Sequence, residues 1–156
     1  MTHLANAMSS TRRSFLPQNP PVPNPVSPGS LAAWQVNRTL LHIETSLEAT
    51  LAASELAAIA HLSVSHFSRA FRVSFGQPPH TYVMARRIEK AKRLILSGER
   101  LTLTEIALSC GLSDQAHLCR MFRKLVGVSP AAWRRKHWPP MSVSEPPDGS
   151  ALVLSS

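Results

Sequence analysis

The sequence predicts an all-α fold: about seven helices arranged as two helix-turn-helix subdomains joined by a long linker helix. Three observations carry this expectation. Between Leu31 and Trp138 the apolar residues return at spacings of three and four, the period of helices packed on one side. The stretch SELAAIAHLSVSHFSRAFRVSFGQPP, from Ser54, is matched about fifty residues later by LTEIALSCGLSDQAHLCRMFRKLVGVSPAAWRRK, from Leu103. Proline-rich segments bound the helical part on both sides, at Pro17–Pro28 and from Pro139 onward.

The chain has 156 residues and is 44% hydrophobic, enough for one compact unit with tails. Its formal net charge is +8, and the charge is concentrated: Ser54–Lys136 holds 14 Lys+Arg against 5 Asp+Glu, so +9, leaving −1 for the rest. A basic core favours a polyanionic partner, nucleic acid ahead of a membrane surface. Cys110 and Cys119 are the only cysteines. They form neither a CxxC pair nor a disulfide framework, which fits a reducing compartment. Neither a membrane span nor the apolar segment of a secretory signal is evident, so the expected location is cytoplasmic.

Residues 1–30 carry six prolines between Pro17 and Pro28 and are expected to be a disordered arm. A helix follows over 31–47, capped by Ser30, with Trp34, Val36, Leu40, Ile43 and Leu47 on its apolar face. Ser54 is expected to cap a short helix that buries Leu56, Ile59 and Ala60. Ser63 caps the next, which buries Phe67, Ala70, Phe71 and Phe75 and presents Ser65, His66, Ser68, Arg69 and Arg72. Gly76 and Pro78-Pro79 end this first subdomain, 31–79.

The linker helix is placed at 80–97, with Tyr82, Met84, Ile88, Ala91, Leu94 and Ile95 inward and Arg86, Arg87, Lys90, Lys92 and Arg93 outward. About 18 residues at 1.5 Å each span roughly 27 Å, close to the ~34 Å of one DNA turn. In the second subdomain, 98–138, Thr104 is expected to cap a helix burying Ile106, Ala107 and Cys110. Gly111 makes the turn, and Ser113 caps a helix from Asp114 to Val126. That helix buries Leu118, Met121, Phe122 and Leu125 and presents Gln115, Ala116, Cys119, Arg120 and Arg123. Gly127 stops it, a short helix opens at Ser129-Pro130, and 139–156 reads as a disordered tail.

The two units align at an offset of 50 from Ser54/Thr104 to Ser63/Ser113. After one added residue in the second copy, Arg69-Ala70-Phe71-Arg72 matches Arg120-Met121-Phe122-Arg123 at 51, as do Gly76/Gly127 and Pro79/Pro130. With this pattern, the chain resembles the DNA-binding domain of the AraC/XylS family of bacterial transcription regulators, from Leu31 to about Lys136. The most specific stretches are LSVSHFSRAFRVSFGQPP, RRIEKAKRLIL and IALSCGLSDQAHLCRMFRKLVGVSPAAWR. The resemblance implies a homeodomain-like fold, insertion of two recognition helices into successive major grooves, promoter binding and recruitment of RNA polymerase.

The resemblance places base contacts on Ser65, His66, Ser68 and Arg69, and on Gln115, Ala116, Cys119 and Arg120. Arg suits guanine O6/N7 and Gln suits adenine N6/N7. Arg72, Arg123 and Lys124 are expected at phosphates, joined by helix N-termini at Ser54, Ser63 and Thr104. For Arg86, Arg87 and Arg93, phosphate contact and plain solvation both stand. His66 and His117 lack partners at metal-ligand spacing, and no acid–base pair or glycine-rich phosphate loop is found. The expectation is therefore a regulator, an activator acting as a monomer on double-stranded DNA, with no enzymatic activity and no cofactor. The competing reading is an interaction or anti-regulator module of the same fold that has lost specific DNA binding. Many members also carry an effector-binding domain. Only about 30 residues precede the first helix here, so a small-molecule domain is not expected within this chain, which is either a stand-alone regulator or a fragment.

Overall fold

In the computed structural model, the described residues are 27–138, and among them the chain forms seven α-helices and no strand. The expected arm and tail fall on residues 1–26 and 139–156, outside the described residues. The helices are α1 (Ala33–Thr45), α2 (Ala53–Ile59), α3 (Val64–Phe75), α4 (Pro79–Leu96), α5 (Leu103–Ser109), α6 (Gln115–Val126) and α7 (Pro130–His137).

The helix α3 forms where four aromatic and small apolar residues fall on one stripe. Phe67, Ala70, Phe71 and Phe75 are all buried, and Phe71 stacks on Phe75 with ring centroids 4.3 Å apart. Ser63 caps the helix by accepting from the His66 N–H at 3.3 Å, and Gly76 closes it in the left-handed region at φ 70°. The same stripe holds one polar residue that periodicity gave no reason to single out. Ser74 is buried, donates to the Ala70 carbonyl and accepts from the Leu31 N–H at 2.8 Å, fastening the entry to α1 onto α3.

Several expected boundaries move. Ala32, not Ser30, caps α1; it has no capping side chain, and the Gln35 side chain accepts from the Ala32 N–H at 2.8 Å. Trp34, expected in the core, is 46% exposed and lies edge-on to His61, while Thr39 takes a fully buried place. Ser54 does not cap α2, which starts from Ala52, so Ser54 is the second helical residue. Nor does Thr104 cap α5. Thr102 does, accepting from the Glu105 N–H while the Glu105 carboxylate accepts from the Thr102 N–H at 2.7 Å. For α6 the cap is Asp114 rather than Ser113.

Two hydrophobic cores result. The first gathers α1, α2 and α3 with Tyr82 and Val83 of α4. The second gathers Ile88, Ala91 and Ile95 of α4 with Ile106, Ala107, Cys110, Leu112, Leu118 and Phe122. The linker helix thus belongs to both halves, packing on α3 near its start and on α5, α6 and α7 beyond. Its cations are not simply solvated. Arg86 grips Glu44 with two hydrogen bonds of 2.6 and 2.9 Å, Lys90 pairs with Glu48 at 2.6 Å, and Lys92 pairs with Glu89 while lying over the Trp133 ring. Arg87 donates to the backbone carbonyls of Leu47 and Ala49.

Candidate nucleic-acid interface

The repeat read from the sequence is a structural repeat. Helices α2 and α5 stand 50 residues apart, while α3 and α6, like α4 and α7 at their starts, stand 51 apart. The added residue lies in the turn before α6, as the alignment placed it. The first turn uses His61, a non-glycine residue at φ 56°, where the second uses Gly111 at φ 69°. Each half is therefore a short helix, a left-handed turn and a twelve-residue amphipathic helix closed by a glycine.

On α3, Ser65, Ser68, Arg69 and Arg72 occupy positions i, i+3, i+4 and i+7 and so share a face, with Ser63 and His66 at the same end. All are exposed except Ser68, which is half-buried. The Arg69 guanidinium rests on its own helix, donating to the Ser65 carbonyl at 3.3 Å. On α6, Ala116, Cys119, Arg120 and Arg123 hold the same four positions, again exposed apart from half-buried Cys119. Lys124 and Gln115 are exposed beside them. Thr104, in the first turn of α5, donates its hydroxyl to the Gln115 side-chain oxygen at 3.3 Å, so these two candidates meet. Ser54 is exposed in the first turn of α2.

Structural equivalence also adds residues that the sequence reading did not place at DNA. His117 is the counterpart of His66, and its Nδ1 lies 3.1 Å from the Ser113 hydroxyl. Val64, 45% exposed, is the counterpart of Gln115, and Val73, 47% exposed, that of Lys124. Carrying the offset of 51 through the whole helix would have found all three. The two faces thus share two arginines and a histidine and differ at Val64/Gln115, Ser65/Ala116, Ser68/Cys119 and Val73/Lys124.

The N-termini differ in charge as well. At α6 the Asp114 carboxylate accepts from the His117 N–H at 2.7 Å and from the Ser113 hydroxyl at 2.9 Å. These bonds, the backbone one first, hold its pKa below the ordinary value. An anion already occupies that helix end, whereas α3 offers a neutral serine there. Burial pushes the Cys110 thiol up to about 11, so it stays protonated and packs as a small apolar residue. Among the described residues no three His, Cys, Asp or Glu side chains are placed to hold a metal ion, and no helix is long and apolar enough to cross a membrane.

Two turn-linked helix pairs, each displaying an arginine-bearing second helix and both packed on one shared helix, define an all-α double helix-turn-helix protein. A family model described as a helix-turn-helix domain matches residues 56–136. The chain belongs to the AraC/XylS family of transcriptional regulators, whose double helix-turn-helix DNA-binding domain it carries. It is 34% identical over 93 residues to the probable transcriptional regulator LumQ of Photobacterium leiognathi, a match covering 60% of this chain and 37% of LumQ. The C-terminal domain of AraT, a response regulator from Geobacillus stearothermophilus, superposes with a TM-score of 0.66 at 26% identity, covering 76% of this chain and 97% of that one. The DNA-binding domain of AdpA, a global transcriptional factor solved in complex with a target DNA, gives a TM-score of 0.61 at 29% identity and covers 66% and 91%. The chain spans less than half the length of the curated relatives it matches. These relatives are transcription regulators rather than enzymes.

Proposed function

We propose that this chain binds double-stranded DNA sequence-specifically as a monomer in the cytoplasm. In this reading α3 and α6 enter major grooves about one helical turn apart, and bound protein activates transcription by presenting a surface to RNA polymerase. The observation that carries the reading is the identical placement of Arg69/Arg120 and Arg72/Arg123 on the exposed faces of two equivalent helices. The likeness to the AdpA domain bound to its target supports it. Ser65, His66, Ser68 and Arg69, with Gln115, Ala116, Cys119 and Arg120, are proposed to face base edges. Arg72, Arg123 and Lys124, with the helix starts around Ser63, Ser54 and Thr104, are proposed to face phosphates.

The competing interaction module would keep the fold without duplex binding; the exposed arginines on both helices favour DNA. Selection of bound sequences from a random duplex pool separates the two readings. The expected result is enrichment of two unlike sequence blocks about one turn apart, with binding lost when about five base pairs are inserted between them. No enrichment, or unchanged affinity after the insertion, would overturn the two-groove reading. Reporter transcription from a promoter carrying the selected site then reads activation against repression.

A further inference from the structure

We infer that Arg87, braced between the two halves of the molecule, is the positioning residue that sets the angle between the recognition helices α3 and α6. The inference rests on the two-groove reading above. Arg87 lies on α4 immediately before Ile88, the first buried α4 residue of the second core, and four residues after Val83, the last of the first core. It therefore sits where the linker passes from one half to the other.

Two segments converge on its guanidinium. Nε donates to the Leu47 carbonyl at 3.0 Å and a terminal nitrogen donates to the Ala49 carbonyl at 2.7 Å, both in the loop that follows α1 in the first half. The turn at Gly111, in the second half, closes against the same group. A Cβ at Gly111 would overlap the Leu47 carbonyl oxygen and stand 2.9 Å from the guanidinium, and φ of +69° independently favours glycine there. One planar cation thus holds a loop of the first half while the second half's turn rests on both.

Packing between α4 and α6 is incomplete at this point. Beside Arg87 the space between α4 and α6 stays open as a cleft of about 260 Å³, lined by Val83, Met84, Met121, Lys124 and Leu125 among others. Without the brace, the apolar surfaces flanking that gap leave α6 room to shift against the first half. Arg86 provides the contrast. It grips Glu44 on α1, within the first half, and among the described residues it makes no hydrogen bond to the second. Arg87 is also not interchangeable with lysine, since its two carbonyl partners need the fork of the guanidinium.

A two-headed reader gains affinity from its second head in proportion to the effective concentration the junction imposes, and a stiff junction of the right angle gains most. One base pair added or removed between half-sites turns the second by about 34°. A braced protein should discriminate sharply against that change, and a loosened one should not.

The test uses the duplex this protein selects from a random pool, the same duplex with either half scrambled, and versions with the spacer changed by one base pair. Wild type, Arg87→Ala, Arg87→Lys and Arg86→Ala are compared after their folding is verified by circular dichroism. Wild type and Arg86→Ala should prefer the full site about a hundredfold over either half, and each one-base-pair change should cost them about tenfold. Arg87→Ala should keep wild-type affinity for each half-site, lose about tenfold of the full-site preference, and become nearly indifferent to the spacer. Should Arg87→Ala fail to fold, Arg87→Lys carries the same comparison. A folded Arg87 variant with undiminished full-site preference and spacer dependence would overturn the inference. A wild type that binds the full site no better than a half would overturn the two-groove reading, and this inference with it.

Discussion

Arg69 and Arg120 stand at one structural position in two helices, and both side chains are exposed, yet their surroundings differ. Arg69 folds onto the Ser65 carbonyl, whereas Arg120 lies near enough to Asp114 to help hold that carboxylate ionised. Reaching a base edge therefore breaks one weak hydrogen bond for Arg69 and a solvent-screened attraction for Arg120. Neither cost rivals a bidentate contact to guanine. Arg69→Ala and Arg120→Ala should each weaken binding by about 1–3 kcal/mol and relax the preference at one or two positions of their own half-site. Repeating the duplex selection with each variant checks this. A uniform loss over all sequences would move the residue to the phosphate group. The arginines were legible because a repeat makes a pattern out of two otherwise unremarkable charges. Arg87 was not, since nothing in RRIEKAKRL tells a solvated arginine from one whose partners lie 38 and 40 residues away.

At the scale of the element, legibility followed locality. The buried stripe of α3 and the glycine stops at Gly76 and Gly127 stand where periodicity and turn chemistry put them. Both were decided within one or two turns of chain. Helix starts were harder, because several Ser and Thr residues compete for each cap. The sequence TLTE offers two threonines, and only Thr102 has a glutamate three residues on, the reciprocal arrangement seen in the structure. At α2 no side chain caps at all, so no local signal existed. The cap of α6 has a measurable signature. Its folded-state pKa is depressed, so its contribution to stability is fully present above the unfolded value near 3.8 and is lost as pH falls through the lower folded one. Asp114→Asn keeps a capping oxygen and removes that titration. Thermal melts by circular dichroism should show wild type losing more stability than the variant between about pH 5 and pH 2. Parallel curves would mean that the carboxylate adds nothing to the folded state beyond its oxygen. The change also removes an anion from the start of one recognition helix, where α3 carries Ser63. With Val64 facing Gln115, Ser65 facing Ala116, Ser68 facing Cys119 and Val73 facing Lys124 across the repeat, the two helices present unlike surfaces. The operator they read should accordingly be asymmetric.

Over the whole molecule, the net charge of +8 does not show which of the cations are free to meet a polyanion. Arg86, Lys90 and Lys92 are engaged by Glu44, Glu48 and Glu89, and Arg87 is committed to two backbone carbonyls. With four linker cations engaged in this way, Arg72, Arg123 and Lys124 at the recognition helices are exposed and form no ion pair among the described residues, and Arg38, Arg93, Arg100, Arg135 and Lys136 are in the same state elsewhere. On the proposed reading, geometry rather than total charge decides which residues exchange counterions with DNA. Each phosphate neutralised contributes about −0.9 to the slope of log affinity against log salt concentration. About seven to nine contacts would give a slope of about −6 to −8 for the wild type. Changing Arg72, Arg123 and Lys124 together to Ala should make that slope shallower by about 2.7, with the loss spread evenly over specific and random duplexes. Arg86→Gln and Lys90→Gln should leave it unchanged despite removing the same kind of charge. Titrations of a labelled duplex at several salt concentrations read both outcomes. A slope that follows net charge regardless of which residue is removed would mean that the linker ion pairs open on DNA and that α4 joins the interface.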